Sequence, residues 1–131
     1  MNKLDKIRSR YLNDPIPVRL GGLAANLARV ASFSKNDGHH QVVLNTLLES
    51  KWFIEWTATE LNPEIAEKLV ELQIQLAIWE IRSHHKWNDH NWRAELADQS
   101  QQWSQRILNM SGLLNSFGIY SDSKNLISNE S

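Results

Sequence analysis

Apolar residues recur along most of this chain at steps of three and four, the spacing that places them on one face of an α-helix. The breaks between periodic stretches carry helix-boundary residues. Asp14-Pro15 reads as an N-cap followed by proline at the first helical position, and Asn62-Pro63-Glu64 repeats the arrangement. Ser34–Gly38 reads as a turn, and Trp87–Asn91 as a second break with Asn88 or Asp89 available as a cap. Four main helices follow: Pro15–Phe33, His39–Leu61, Pro63–His85 and Asp89–Phe117. Leu4, Ile7 and Tyr11 share a face, which allows a short helix over Leu4–Leu12. No stretch alternates as a strand would, and there is no internal repeat. The expected fold is all-α, an antiparallel four-helix bundle with that N-terminal segment as a candidate fifth helix. Residues 1–117 would form one domain and residues 118–131 a polar tail.

The faces of these helices differ. In Asp89–Phe117, Trp92, Leu96, Gln99, Trp103, Ile107, Met110, Leu114 and Phe117 make one seam, so its tryptophans are expected in the core. In Pro15–Phe33, the apolar stripe is Ile16, Leu20, Leu23, Leu27 and Val30. Beside it, Gly21, Ala25, Ala28 and Ser32 form a stripe of small side chains at which another helix can come close. Two interior glycines, Gly21 and Gly22, cost about 2 kcal/mol relative to alanine. Either close packing offsets that cost or the helix begins after them; the continuous helix is preferred.

Two helices carry apolar groups on more than one side. In His39–Leu61, Val43, Leu47, Phe53, Ile54, Ala58 and Leu61 share one arc, while Trp52 and Trp56 point the other way with Leu44 and Leu48 beside them. Such a helix is buried on two sides or presents one side to something outside the fold. In Pro63–His85, Glu64, Glu67, Lys68, Glu71, Gln75 and Arg82 form a polar face that must be solvated. The remaining arc has Ile65, Leu69, Leu72 and Leu76 on one flank and Val70, Ile74, Ala77 and Ile81 on the other. Gln73, Glu80 and His84 lie between the flanks, where burial should be deepest. A carboxylate there needs a partner or a raised pKa, so the trio is either an internal polar contact or the lining of a pocket.

Composition adds mainly exclusions. The 131 residues suit one domain with its own core, 41% hydrophobic and 22% charged. No apolar run approaches a membrane span, and Met1–Arg10 lacks the apolar stretch of a signal peptide, so a cytoplasmic location is expected. Without cysteine there are no disulfides, thiolate metal sites or cysteine nucleophiles. The net charge of −1 is unevenly distributed: residues 1–35 carry seven Lys/Arg against two Asp, and the rest seven against thirteen acids. The basic segment is expected to pack near acidic groups of its own fold or of a neighbouring subunit. The acidic remainder and the lack of a Lys/Arg row on any helix argue against nucleic acid.

Catalytic signatures are sparse, and no catalytic residue is assigned. There is neither a phosphate-binding glycine loop nor a serine elbow. The five histidines occur as His39-His40, His84-His85 and His90; neighbours on a helix point about 100° apart and cannot chelate one metal as i, i+4 ligands do. They are assigned to helix ends, with no metal and no cofactor expected. Glu64-x-x-Glu67 and Glu95-x-x-Asp98 resemble the acidic pattern of the all-helical MazG nucleotide pyrophosphohydrolases, a resemblance that implies Mg²⁺ and triphosphate hydrolysis. Against it, Glu64 and Glu67 lie on a solvent face, and Glu95 and Asp98 lie off the apolar seam.

The segments Asp14–Ser34 and Glu49–Ala58 resemble parts of small all-helical cyanobacterial proteins that carry no assigned activity. The resemblance implies a soluble bacterial protein in a photosynthetic cell and brings no site residues with it. A tetrapyrrole or carotenoid partner would, without cysteine, be held noncovalently.

The functional expectation is therefore a non-enzymatic interaction protein, a homodimer or a binder of a protein partner. Its interface would be the second face of His39–Leu61: Leu44, Leu48, Trp52 and Trp56, with Glu49 and Glu55 as charged rim. The competing expectation is a small-molecule binder with an interhelical pocket at Gln73, Glu80 and His84. A MazG-like hydrolase is the third.

Overall fold

The computed structural model describes residues 2–112. Among them there are five α-helices and no strand: α1 Lys3–Asn13, α2 Ile16–Phe33, α3 His40–Thr57, α4 Pro63–Lys86 and α5 His90–Gly112. Single 3₁₀ turns, Asp37–His39 and Ala58–Glu60, lie before and after α3. No helix is long and apolar enough to cross a membrane. The segment beyond Gly112, with Leu114, Phe117 and residues 118–131, lies outside the described residues.

Boundary chemistry explains most of the breaks. The Asn62 side chain accepts from the Ile65 N–H at 3.1 Å and starts α4, with Pro63 in the first turn. Asp89 Oδ1 accepts from the N–H groups of Asn91 and Trp92 at 2.9 and 3.2 Å and starts α5. At the first proline the outcome differs by one residue. Pro15 itself is the N-cap of α2, and Asp14 ends α1 through its backbone N–H to the Tyr11 carbonyl. The Asp14 carbonyl is taken by Arg19 Nε at 2.9 Å, so this corner is held by a side chain of α2 rather than by an Asp cap.

α2 runs unbroken through Gly21 and Gly22. A Cβ on Gly21 would meet nothing within 4 Å, and one on Gly22 would only touch the Phe53 ring at 4.0 Å. Close packing therefore does not require either glycine. Gly21→Ala is expected to raise the unfolding free energy by roughly 0.5–1 kcal/mol, read from a denaturant midpoint; a loss of stability would mean that something approaches this backbone in the working protein.

The close approach uses a neighbouring set of small residues. α2 packs on α5, and Ala24 and Ala31 of the first and Ala97, Ser100 and Ser104 of the second are all buried. Ser104 Oγ donates to the Ala24 carbonyl at 2.7 Å, a bond between helices that is possible only where side chains are this short. Ser100 Oγ returns its hydrogen bond to the Leu96 carbonyl of its own helix. This contact turns α5 relative to the expected seam. Leu96, Ile107 and Met110 are in the core, but Trp92 and Trp103 are half-buried flanks packed against it.

The remaining core is aliphatic. Leu20, Leu23, Leu27 and Val30 of α2, Val43 and Leu47 of α3, and Ile65, Leu69, Leu72 and Leu76 of α4 are fully buried. α3 lies between α2 and α4, and α4 also meets α5. Asn26 of α2 donates to Glu49 of α3 and Arg19 to Glu60, so the two helices run in opposite senses. Arg19 and Glu60, paired at 2.7 Å, are also the one ion pair among the described residues between the basic N-terminal part and the acidic remainder.

Candidate functional site

The second face of α3 is divided between two neighbours. α1 lies along it, with its Tyr11 ring stacked on Phe53 at 4.0 Å and tilted against Trp56 at 6.0 Å. The Tyr11 hydroxyl donates to the Arg19 carbonyl and accepts from Thr57, and burial pushes its pKa up to about 12. Trp56 is thereby half-buried against the core, and Trp52 stacks beside it at 6.1 Å. Glu49 faces the same way and accepts from Asn26 at 3.1 Å.

Leu44, Leu48 and Glu55 point to the other edge of α3, together with Lys51, which bridges to Glu80 of α4 at 3.4 Å. The six residues expected to form one interface thus fall into two groups. Leu48, 40% exposed, sits on the crest between them. On the α1 side it borders a groove of about 420 Å³ lined by Lys3, Leu4, Ile7, Asn45, Glu49 and Trp52.

Gln73, Glu80 and His84 do not sit at the deepest part of α4. Its buried line is Ile65, Leu69, Leu72, Leu76, Trp79 and Ser83, one apolar flank of the wide arc. The trio lies at the margin: Glu80 is paired with Lys51, His84 is exposed, and Gln73 is half-buried. The other flank is turned to solvent, with Val70 46%, Ile74 58% and Ile81 63% exposed and Ala77 half-buried between them. The arc spans too much of the helix for one core to cover, and the leucine flank takes the inside. This row is the feature that reading for a single buried face misses. Its signal was present in the 4-3-4 spacing of 70, 74, 77 and 81, the spacing of a helix-pairing seam.

A cleft that does adjoin α4 opens on its opposite edge, toward α5. It encloses about 300 Å³ between Gln75, Trp79, Arg82, Trp92, Glu95 and Gln99. Trp79 Nε1 donates to Gln99 Oε1 at 3.1 Å and Gln99 Nε2 to Glu95 Oε1 at 3.0 Å, a chain that ties three of its polar side chains together. Glu95 therefore sits beside the middle of α4. Glu67 lies 12 residues before Trp79, about 18 Å along the helix at 1.5 Å per residue. The four acids of the MazG-like pattern are not gathered, and no group of three His, Asp or Glu suited to a metal occurs among the described residues.

The histidines do occupy helix ends. His40 stacks on Trp87 at 4.5 Å, with the His84 ring 6.1 Å away and Ser83 Oγ 3.4 Å from its Nε2. Trp87 is buried and donates to the Asp37 carbonyl at 2.7 Å, which pins the 3₁₀ turn to the end of α4. Arg93 is buried over the same indole, 5.7 Å from its ring centre. Burial, and secondarily the charge of His84, lowers the pKa of His40 below its usual 6.5. The unfolded chain then binds more protons than the folded one just below pH 6.5. Stability is expected to be unaffected above that pH and to fall as pH drops through the window below it. His40→Gln should flatten that part of the profile in denaturant titrations; an unchanged slope would place the acid sensitivity elsewhere.

No protein-family model, curated protein or solved structure matches this chain.

Proposed function

We propose that this chain is a non-enzymatic interaction protein: an antiparallel four-helix bundle of α2 to α5, with α1 as a fifth helix laid against α3, working in the cytoplasm. The observation that supports this is the row on α4. Val70, Ile74 and Ile81 expose apolar side chains at helical spacing on the outside of a helix whose other face already fills the core. Each is already about half covered, and burying the rest would gain roughly 1 kcal/mol, which is reason for a partner to cover them. Leu44, Leu48 and Glu55 extend the surface onto α3. Glu49, Trp52 and Trp56, beside the α1 groove, are a second place where a partner could add contact.

A small-molecule role has surface clefts in its favour, among them the one holding Trp79 and Trp92. At about 300 Å³ it is at the lower end for such sites. Three of its polar side chains, Trp79, Gln99 and Glu95, are already tied to one another, and the protein-binding reading is preferred.

The absence of cysteine offers a test. In a Val70→Cys variant, maleimide labelling of the single thiol is expected to be slower, by roughly 10-fold or more, in extract of the cells that make the protein than in dilute purified protein. Equal rates would mean that nothing covers the row, and the reading fails.

A further inference from the structure

We propose that the turn between α2 and α3 and the start of α5 form a binding site for a phosphoryl group, with Arg93 and Lys35 as the cations that hold it. The two buried arginines of the fold differ in a way that points to it. Arg19, 7% exposed, has every guanidinium nitrogen bonded: Nη1 to Glu60, Nε to the Asp14 carbonyl and Nη2 to the Leu12 carbonyl. Arg93, 8% exposed, has one long contact, from Nη1 to the Ser34 carbonyl at 3.4 Å. Its Nε is buried without a partner, and no carboxylate pairs with its guanidinium among the described residues. The Trp87 ring, 5.7 Å away, offers a π face but no hydrogen-bond acceptor. Buried cations are ordinarily paired, because taking a charge out of water without a counterion is costly. Arg93 is held as if for an anion that the chain itself does not supply.

The guanidinium borders an open cleft of about 420 Å³, lined by Lys35, Asn36, Asp37, His90 and Arg93. None of these residues belongs to the row on α4. Lys35 and His90 are exposed. Asn36 Oδ1 accepts from the Gly38 N–H at 2.8 Å, which leaves its Nδ2 as a donor. Two cations therefore share the cleft with one carboxylate, Asp37, and donors come both from the turn and from α5. Asp89, beside His90, is engaged as the cap of α5, where its Oδ1 takes the N–H groups of Asn91 and Trp92. The site thus rests on side chains and not on free amides of the helix start. A second buried polar atom without a partner, His39 Nδ1, belongs to the same turn. A phosphoryl group suits this set better than a planar carboxylate. It carries about two negative charges at neutral pH, matching Lys35 and Arg93, and presents three acceptor oxygens to donors on different sides. The cleft is open, so binding is expected to be weak, with Kd on the order of 1 mM.

Inorganic phosphate and phenyl phosphate are the probes, titrated into the full chain at fixed ionic strength. Each is expected to raise the denaturant midpoint in a saturable way, where chloride at equal ionic strength does not. Tighter binding of phenyl phosphate would show that the group arrives on a larger molecule, and equal binding that free phosphate suffices; both support the site. Lys35→Gln, at an exposed position, should raise the Kd roughly 10-fold and leave the phosphate-free midpoint unchanged. Arg93→Met should abolish the response to phosphate. In phosphate-free buffer it should hold or raise the midpoint, because an apolar side chain of similar length replaces an unpaired buried cation. Asp37→Asn should strengthen binding by removing a repelling charge. No response of the parent to either probe overturns the site, as does a Kd unmoved by Lys35→Gln. A phosphate-free midpoint lowered by Arg93→Met would mean that Ser34 and Trp87 satisfy the guanidinium within the fold. One lowered by Asp37→Asn would mark Asp37 as its counterion. Either result also overturns the site.

Discussion

Tyr11→Ala is expected to cost about 3–5 kcal/mol, the range for truncating a buried aromatic ring. The consequence is concentrated in one element. α1 is 11 residues long, shorter than isolated helices that persist in water, and its other inward residues, Ile7 and Leu12, are only half-buried. Without the ring stacked on Phe53, α1 should unwind and leave Trp56 and Trp52 uncovered. The signs would be a drop in helical circular dichroism, a red shift of tryptophan emission, and rapid tryptic cleavage after Lys6, Arg8 or Arg10. Tyr11→Phe keeps the stacking and loses two hydroxyl hydrogen bonds, a cost of about 1–2 kcal/mol. Similar small losses in both variants would show that α1 is held by something other than this ring. The phenol gives a second measurement. Its pKa is raised from 10.0 to about 12 by burial, so above pH 10 the unfolded chain loses this proton before the folded one. Stability should decline as pH rises from 10 toward 12, and Tyr11→Phe should remove that part of the decline.

The second large effect is expected where α2 meets α5. Ser104→Leu places a four-carbon side chain where a hydroxyl reaches the Ala24 carbonyl at 2.7 Å. Overpacking of this kind costs about 1–3 kcal/mol, and the lost hydrogen bond adds about 1. Adding Ser100→Leu, one turn away and fully buried, should bring the total to roughly 4–6 kcal/mol, near the whole stability of a small domain. Ser104→Ala should cost only about 1 kcal/mol, because it preserves the close approach. The denaturant midpoints of the three variants order these effects. A double-leucine variant as stable as the parent would mean that the two helices are farther apart in solution.

Much of this architecture could be read from the chain because its boundaries are local chemistry. Asn62-Pro63 and Asp89 fix helix starts through bonds within a few residues, and Ile16, Leu20, Leu23, Leu27 and Val30 offer one core face. What was not legible depends on neighbours. In α4 the flank with Leu69, Leu72 and Leu76 and the flank with Val70, Ile74 and Ile81 are equally apolar, and only the positions of α3 and α5 decide between them. Gln73, Glu80 and His84 bisect that arc, so burial of one flank alone sets them at the edge of the core. In α5, Ser100 and Ser104 count as polar in any periodicity, yet each satisfies its hydroxyl on a backbone carbonyl and is buried. Trp52 and Trp56 looked exposed because a helix as short as α1 gives a weak signal. Its hold depends on Tyr11 meeting Phe53, 42 residues away.

The Ser104–Ala24 bond has a consequence for how the chain comes to be folded. It joins residues 80 apart in sequence, the largest separation among the side-chain hydrogen bonds between described residues. Helices α2, α3 and α4 can form hairpins with their sequence neighbours as soon as each is complete. The inner edge of α2 has to wait for α5, the fifth described helix in chain order. Until then Ala24, Leu27 and Ala31 lack their cover, and a chain stopped anywhere in α5 would stay that way. Closure of this long loop is the step expected to set the folding rate, and the half-made chain is the state most exposed to aggregation and proteolysis.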